Sequence, residues 1–191
     1  MNKLFILFLA LSCAHRPTPV TPAPTTTPVV SKYVRKDWKH WSDSDRNCLN
    51  TRAEILKARS IVPVKMNKKG CTVVSGRWHD YYYPETHTLA KTVDIDHLVS
   101  LKNAHVSGGS HWSAKEKEAF ANDLKNLVIT NRTYNRKKGA KGIDQWLPVD
   151  KSYACQYAKD WYGIKKKYFL KISSAEQSTL VRLQSSGCVI F

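Results

Sequence analysis

Apolar and polar positions along the chain follow two periods, and the switches between them outline the elements. In WSDSDRNCLNTRAEILKARS, Leu49, Ala53 and Leu56 fall at helical spacing, with Ser42 or Asp43 as the cap. IVPV and CTVVSGRW read as short β segments separated by the turn-like NKKG, and DYYYPETHTLAKT reads as loop with some extended structure. TVDIDHLV reads as a strand running into SLKNAHVSGG, a short helix stopped by its glycines. SAKEKEAFANDLKNL opens with a capping box, Ser113 and Glu116, and gathers Ala119, Phe120, Leu124 and Leu127 on a buried side. NLVIT (126–130) predicts a second strand, and NRTYNRKKGAKG a short basic helix ending at Gly139. Tyr157, Ala158, Trp161, Ile164 and Tyr168 keep a helical period, and Ser173 or Ser174 caps a last helix, AEQSTLVRLQSSG. Helices around a small two-stranded core make an α+β fold.

One stretch breaks the apolar pattern. The strand over TVDIDHLV sets Asp94, Asp96 and His97 among Val93, Ile95, Leu98 and Val99. Alternation along a strand points both aspartates to one face and His97 to the other. Two carboxylates on one buried face need cations, several hydrogen bonds or a divalent metal to compensate them. A solvated surface strand is the plainer reading, and the apolar neighbours argue against it. Downstream, NLVITNRTYNRKKG supplies Asn126, Asn131 and Asn135, with Arg132, Arg136, Lys137 and Lys138 between them. An asparagine oxygen is a neutral hard ligand suited to Mg²⁺, and the basic residues beside it can hold a phosphodiester.

Charge and the N-terminus narrow the function classes. With 31 Lys and Arg against 15 Asp and Glu, the 191-residue chain carries +16, a field that draws polyanions. Nucleic acid is the first candidate partner, and an anionic membrane or cell-wall surface the second. MNKLFILFLALS is apolar, too short to span a bilayer, and fits a signal peptide. Cys13 behind it resembles the lipidated first residue of a bacterial lipoprotein, with plain export to the periplasm or exterior as the alternative. Pro and Thr over 15–30 suit an extended tether. The expected organisation is a signal peptide over 1–12, a tether over 13–31 and one folded domain over 32–191. Export makes Cys48, Cys71, Cys155 and Cys188 disulfide candidates. Three pairings are possible, and chain proximity favours Cys48–Cys71 and Cys155–Cys188.

CLNTRAEIL (48–56), CTVVSGRWHDYY (71–82), DIDHLVSLKNAHVSGG (94–109), FANDLKNLVITNRTYNRKKG (120–139), WLP (146–148) and YACQYAKDWYGIKKKY (153–168) appear in this order. The set resembles the secreted HNH endonucleases related to GmrSD-type restriction enzymes, in the ββα-metal or His-Me finger superfamily. The resemblance implies a hairpin-plus-helix core surrounded by additional helices and short strands. It implies His97 as general base, Asp96 and Asn135 as metal ligands with Asp94 as a further candidate, and Asn126 as the residue that holds the histidine loop. Arg136 and Lys138 fall on the basic positions beside the metal ligand, as phosphate-contacting members of the catalytic set, with Arg132, Lys137 and Lys138 as substrate contacts. The implied cofactor is Mg²⁺ or another divalent ion such as Mn²⁺, the implied substrate DNA, and no protein partner is evident. Asp96 and His97 can flank one site only if the strand ends or distorts at His97. The competing readings are a basic lipoprotein that binds nucleic acid or an anionic surface without cutting, and an RNA-cleaving toxin using the same site.

Other residues have plainer expected roles. Arg52 and Asp123 match family positions but suit salt bridges, Trp78, Trp146 and Trp161 suit the core, and Lys165–Lys167 suit a solvated helix face. His105 and His111 are weak catalytic candidates. The basic run KYVRKDWKHW can touch DNA or lipid headgroups.

Overall fold

The computed structural model describes residues 31–191. The signal peptide, Cys13 and nearly all of the tether expected from the sequence lie outside the described residues. Six helices and five strands follow in order: α1 (Thr51–Ala58), β1 (Lys65–Met66), β2 (Val73–His79), β3 (Thr86–Leu89), β4 (Val93–His97), α2 (Leu101–Val106), α3 (Ala114–Ala121), β5 (Leu127–Asn131), α4 (Arg132–Lys138), α5 (Lys151–Lys167) and α6 (Ser174–Ser185). The fold is α+β, with two small antiparallel sheets.

Strands β1, β2 and β3 form one sheet, which the sequence showed only as scattered extended segments. Its ladder slips between Ser75 and Trp78, where Gly76 sits. A Cβ there would fall 2.6 Å from both the Ser60 hydroxyl and the Trp78 ring, so the close approach requires glycine. Strands β4 and β5 form the second sheet, pairing Val93 with Asn131, Ile95 with Ile129 and His97 with Leu127. One face of this pair, Val93, Ile95, Leu127 and Ile129, packs with Ile55 and Leu56 of α1 and with Val73 and Trp78 of β2. The larger core gathers Trp38, Tyr82, Leu98, Val99, Phe120, Tyr157, Trp161 and Leu180. The β4–β5 hairpin therefore stands between two apolar clusters, which fixes its position.

Local signals account for most element ends. Ser113 and Ser173 each form a full capping box, with Glu116 and Glu176. Gly139 ends α4 at φ 55°, a conformation that favours glycine. Three expectations are corrected. Helix α1 is capped by Asn50, not by Ser42 or Asp43, because the Asn50 side chain accepts from the Ala53 amide. The first β segment is Lys65–Met66, after IVPV rather than on it. Helix α3 stops at Ala121, short of Leu124 and Leu127. The Asn122 side chain is tied to Ser42, Thr51 and the Lys39 carbonyl, and the Asp123 side chain accepts from the Lys125 amide, turning the chain into β5.

Cys48 is bonded to Cys71, and Cys155 on α5 to Cys188 behind α6. Trp78 and Trp161 are buried in the core, and Trp146 packs against it. Arg52 makes no salt bridge among the described residues: its guanidinium donates to the carbonyls of Ala90 and Val93. Asp123 pairs with Lys167 at 2.7 Å. Lys165 is fully buried rather than solvated, with its ammonium on Glu176, Ser107 and the Lys171 carbonyl.

Candidate active site

The face of β4 opposite the α1 cluster carries Asp94 and Asp96, and α4 lies across it. Arg132, Asn135 and Lys138 recur one helical turn apart and meet that face in sequence. Arg132 Nε lies 3.4 Å from Asp94 Oδ1, and Asn135 Nδ2 donates to Asp94 Oδ2 at 3.1 Å. Lys138 Nζ lies 2.9 Å from Asp96 Oδ2 and donates to the His97 carbonyl at 2.7 Å. Asp96 Oδ2 also accepts from the buried Tyr82 hydroxyl at 2.6 Å. This network resolves the misfit in the sequence pattern, because both acids are compensated from the helix packed against them. Lys138, expected at the phosphate, is fully buried on Asp96, which removes it from substrate contact.

His97 is the last residue of β4, where strand alternation ceases to constrain it. Its Nε2 lies 2.9 Å from the Ala121 carbonyl. A carbonyl can only accept, so Nε2 carries the proton and Nδ1 keeps the lone pair. Trp41 stacks on the ring at 6.0 Å between centroids. Burial pushes the imidazole down from 6.5 to about 4, against the Ala121 hydrogen bond and the Asp96 charge, which favour the proton. The ring is neutral at pH 7.

The backbone beyond the histidine is held by Asn126. Its Oδ1 accepts from the Val99 amide at 2.9 Å, its Nδ2 donates to the Val99 carbonyl at 3.2 Å, and its own carbonyl accepts from Leu98 N–H at 2.8 Å. Asn131 faces away from the site, its side chain capping α4 through the Thr133 amide.

Asp96, His97, Asn135 and Arg136 line one cavity of about 320 Å³, together with Tyr33 and Arg35. The donor set fits a hard divalent cation. Asp96 Oδ1 and Asn135 Oδ1 make no hydrogen bond within the described protein, whereas Asp94, expected as a further ligand, is bonded to Arg132 and Asn135 and does not line the cavity. Arg35, whose role KYVRKDWKHW left open, falls on this cavity. Arg132 and Lys137 are exposed on α4. His105 is buried and bonded to the Ser31 carbonyl, and neither it nor His111 lines the cavity.

A second group of metal-type side chains, Asp80, Glu85 and His87, comes together from the DYYYPETHT segment. It is a possible carboxylate–histidine site. Asp80 already accepts from the amides of Tyr82 and Asn131, the Thr130 hydroxyl and His87, so its oxygens are largely committed to tying the β2–β3 turn to β5. Only the convergence of three titratable side chains across that turn marks the group, and one-dimensional spacing does not display it.

The family of C-terminal domains of GmrSD restriction endonucleases matches residues 51–183, from the start of α1 nearly to the end of α6. The chain belongs to this family. Membership suggests endonuclease activity and hence a nucleic-acid substrate. An uncharacterized secreted protein of Arthroderma benhamiae is 37% identical over 153 residues, covering 79% of this chain and 74% of the relative. The secreted relative and the two disulfides are consistent with export. No solved structure matches the chain significantly.

Proposed function

We propose that this chain is an exported HNH-type endonuclease that hydrolyses phosphodiester bonds, with DNA as substrate and little sequence preference. The observation that carries the reading is the shared cavity, in which a neutral imidazole with a defined tautomer, a carboxylate and an asparagine meet beside arginines.

His97 Nδ1 takes a proton from water as the water oxygen attacks phosphorus. The bond from phosphorus to the 3′ oxygen breaks, and the leaving oxygen takes a proton from solvent, giving 5′-phosphate and 3′-hydroxyl ends. The Ala121 carbonyl holds the ring and stabilises the imidazolium as it forms. Arg35 and Arg136 bind the phosphate oxygens, and exposed Arg132 and Lys137 meet flanking phosphates. Lys138 and Tyr82 hold Asp96 oriented, and Asn126 sets the backbone that follows the base. When bound by Asp96 and Asn135, with Asp94 near, a divalent cation such as Mg²⁺ or Mn²⁺ supplies charge neutralisation at the phosphate. Upstream, lipidated Cys13 and the Pro/Thr tether hold the enzyme at a membrane surface.

Incubating the purified protein with plasmid, with and without Mg²⁺ or Mn²⁺ and chelator, tests the reading. Cleavage that requires the ion and is lost in His97→Ala, with binding retained, supports it. Intact DNA and RNA across several divalent ions would overturn it, leaving a non-catalytic basic binder.

A further inference from the structure

The cavity at His97 lies beside a second and larger one. This trough, about 850 Å³, runs between α2, the C-terminal end of α4 with the loop behind it, and the α5–α6 connection. Lys102, Arg136, Gly139 and Ala140 line both cavities, so the two adjoin. Lys137, Lys141 and Lys171 extend the basic lining away from His97.

The charge on this surface is available to a ligand. Lys102, Arg136, Lys137, Lys141 and Lys171 are exposed, and none has an acidic partner among the described residues. Of the acids in the lining, Glu176 is buried and bound by Lys165, Asn103 and the Ser173 amide, which neutralises it. Asp144 is the remaining acid of the lining. Three separate elements thus present unpaired ammonium and guanidinium groups along one path that ends at the imidazole. Side chains placed for solubility alone have no reason to converge on a concave surface adjoining a catalytic cavity.

We propose that this trough is the track for the polynucleotide on one side of the cleaved bond, with Lys102, Lys141 and Lys171 holding successive backbone phosphates. The assignment rests on the nuclease reading for the position of the cleaved bond, but not for binding itself. Contacts of this kind read no bases, and they release counterions, so affinity falls steeply with salt. Lys102 and Arg136 line both the trough and the cavity, whereas Tyr33 and Arg35 line the cavity alone.

The test measures binding of fluorescein-labelled duplex DNA to the full chain in chelator, over a range of salt, so that cleavage does not intervene. Changing Lys102, Lys141 and Lys171 together to Ala is expected to weaken binding tenfold or more and to make the plot of log affinity against log salt shallower by about 2–3 units. The same three changed to Arg are expected to bind as the parent does. Changing Lys57, Lys68 and Lys69, which are exposed and line neither cavity, is expected to leave binding unaltered. Unaltered affinity and salt slope in the triple Ala variant, with a parental circular dichroism melt, would overturn the track, as would a parent that binds no DNA. Binding by the triple variant that is lost to phosphatidylglycerol vesicles but kept to DNA would also overturn it and make the trough a lipid surface. A parent that cleaves while the triple variant binds normally sinks the track and leaves the nuclease. A parent that never cleaves, with binding lost in the triple variant, sinks the nuclease and leaves the track.

Discussion

Lys138 and Asp96 form a buried ion pair, 2.9 Å from Nζ to Oδ2, that ties the end of α4 to the end of β4. The lysine side chain is fully buried and the aspartate side chain 8% exposed, so the ammonium has no water to fall back on. Removing one partner strands the other, a change that costs about 3–5 kcal/mol. Lys138→Met keeps the length and packing of the side chain and is expected to destabilise the fold by that amount in urea denaturation. Exposed Lys137→Met is expected to change stability by less than about 0.5 kcal/mol.

Asn126 touches neither water nor phosphate in the proposed reaction, but it positions the backbone behind His97. Asn126→Ala removes the hydrogen bonds to both polar groups of Val99, each buried, and is expected to cost about 2–4 kcal/mol of stability. At a temperature where the variant stays folded, kcat is expected to fall with little change in KM, because the contacts to substrate remain. A rise in KM alone would mark a purely structural role.

The imidazole of His97 titrates at about 4 when folded and at 6.5 when free. Between those values the unfolded chain binds the proton and the folded chain does not, so acid draws the equilibrium toward unfolding. This contribution is full above pH 6.5 and is lost as pH falls toward 4. Metal-free protein is expected to lose stability over that interval, and His97→Phe to lose less. An NMR titration of the His97 ring in chelator checks the midpoint directly.

The disulfides close loops with sequence separations of 23 and 33. Reducing both is expected to lower stability by about 2–5 kcal/mol for each bond, read as a fall in the thermal midpoint on adding dithiothreitol. The Cys48–Cys71 bond links the loop before α1 to the approach to β2, and Cys155–Cys188 links α5 to the C-terminal segment. Single Cys→Ser pairs separate the two effects.

Much of this architecture was legible because its signals are local. Capping boxes at Ser113 and Ser173, the glycine behind α4 and the apolar period of α5 need no knowledge of neighbours. The acids of β4 announced a site for the same reason: their misfit is visible against Val93 and Ile95. What stayed hidden depends on partners distant in sequence. Lys165 sits in a basic triplet that reads as a wet helix face, yet its turn of the helix points at Glu176. Lys138 looks like one more phosphate contact in a run of three basic residues until α4 is laid on β4. Arg35 precedes the family match altogether, and only folding carries it to the cavity.

The early end of α3 has a consequence for the chemistry. In a helix continuing through Leu124, the Lys125 N–H would occupy the Ala121 oxygen. Instead Asp123 takes that donor at 3.1 Å, and the oxygen is left to orient an imidazole. The orientation of the imidazole is thereby governed by where a neighbouring coil unwinds, and a substitution at Asn122 or Asp123 that let it wind one turn further would release a ring that neither residue touches.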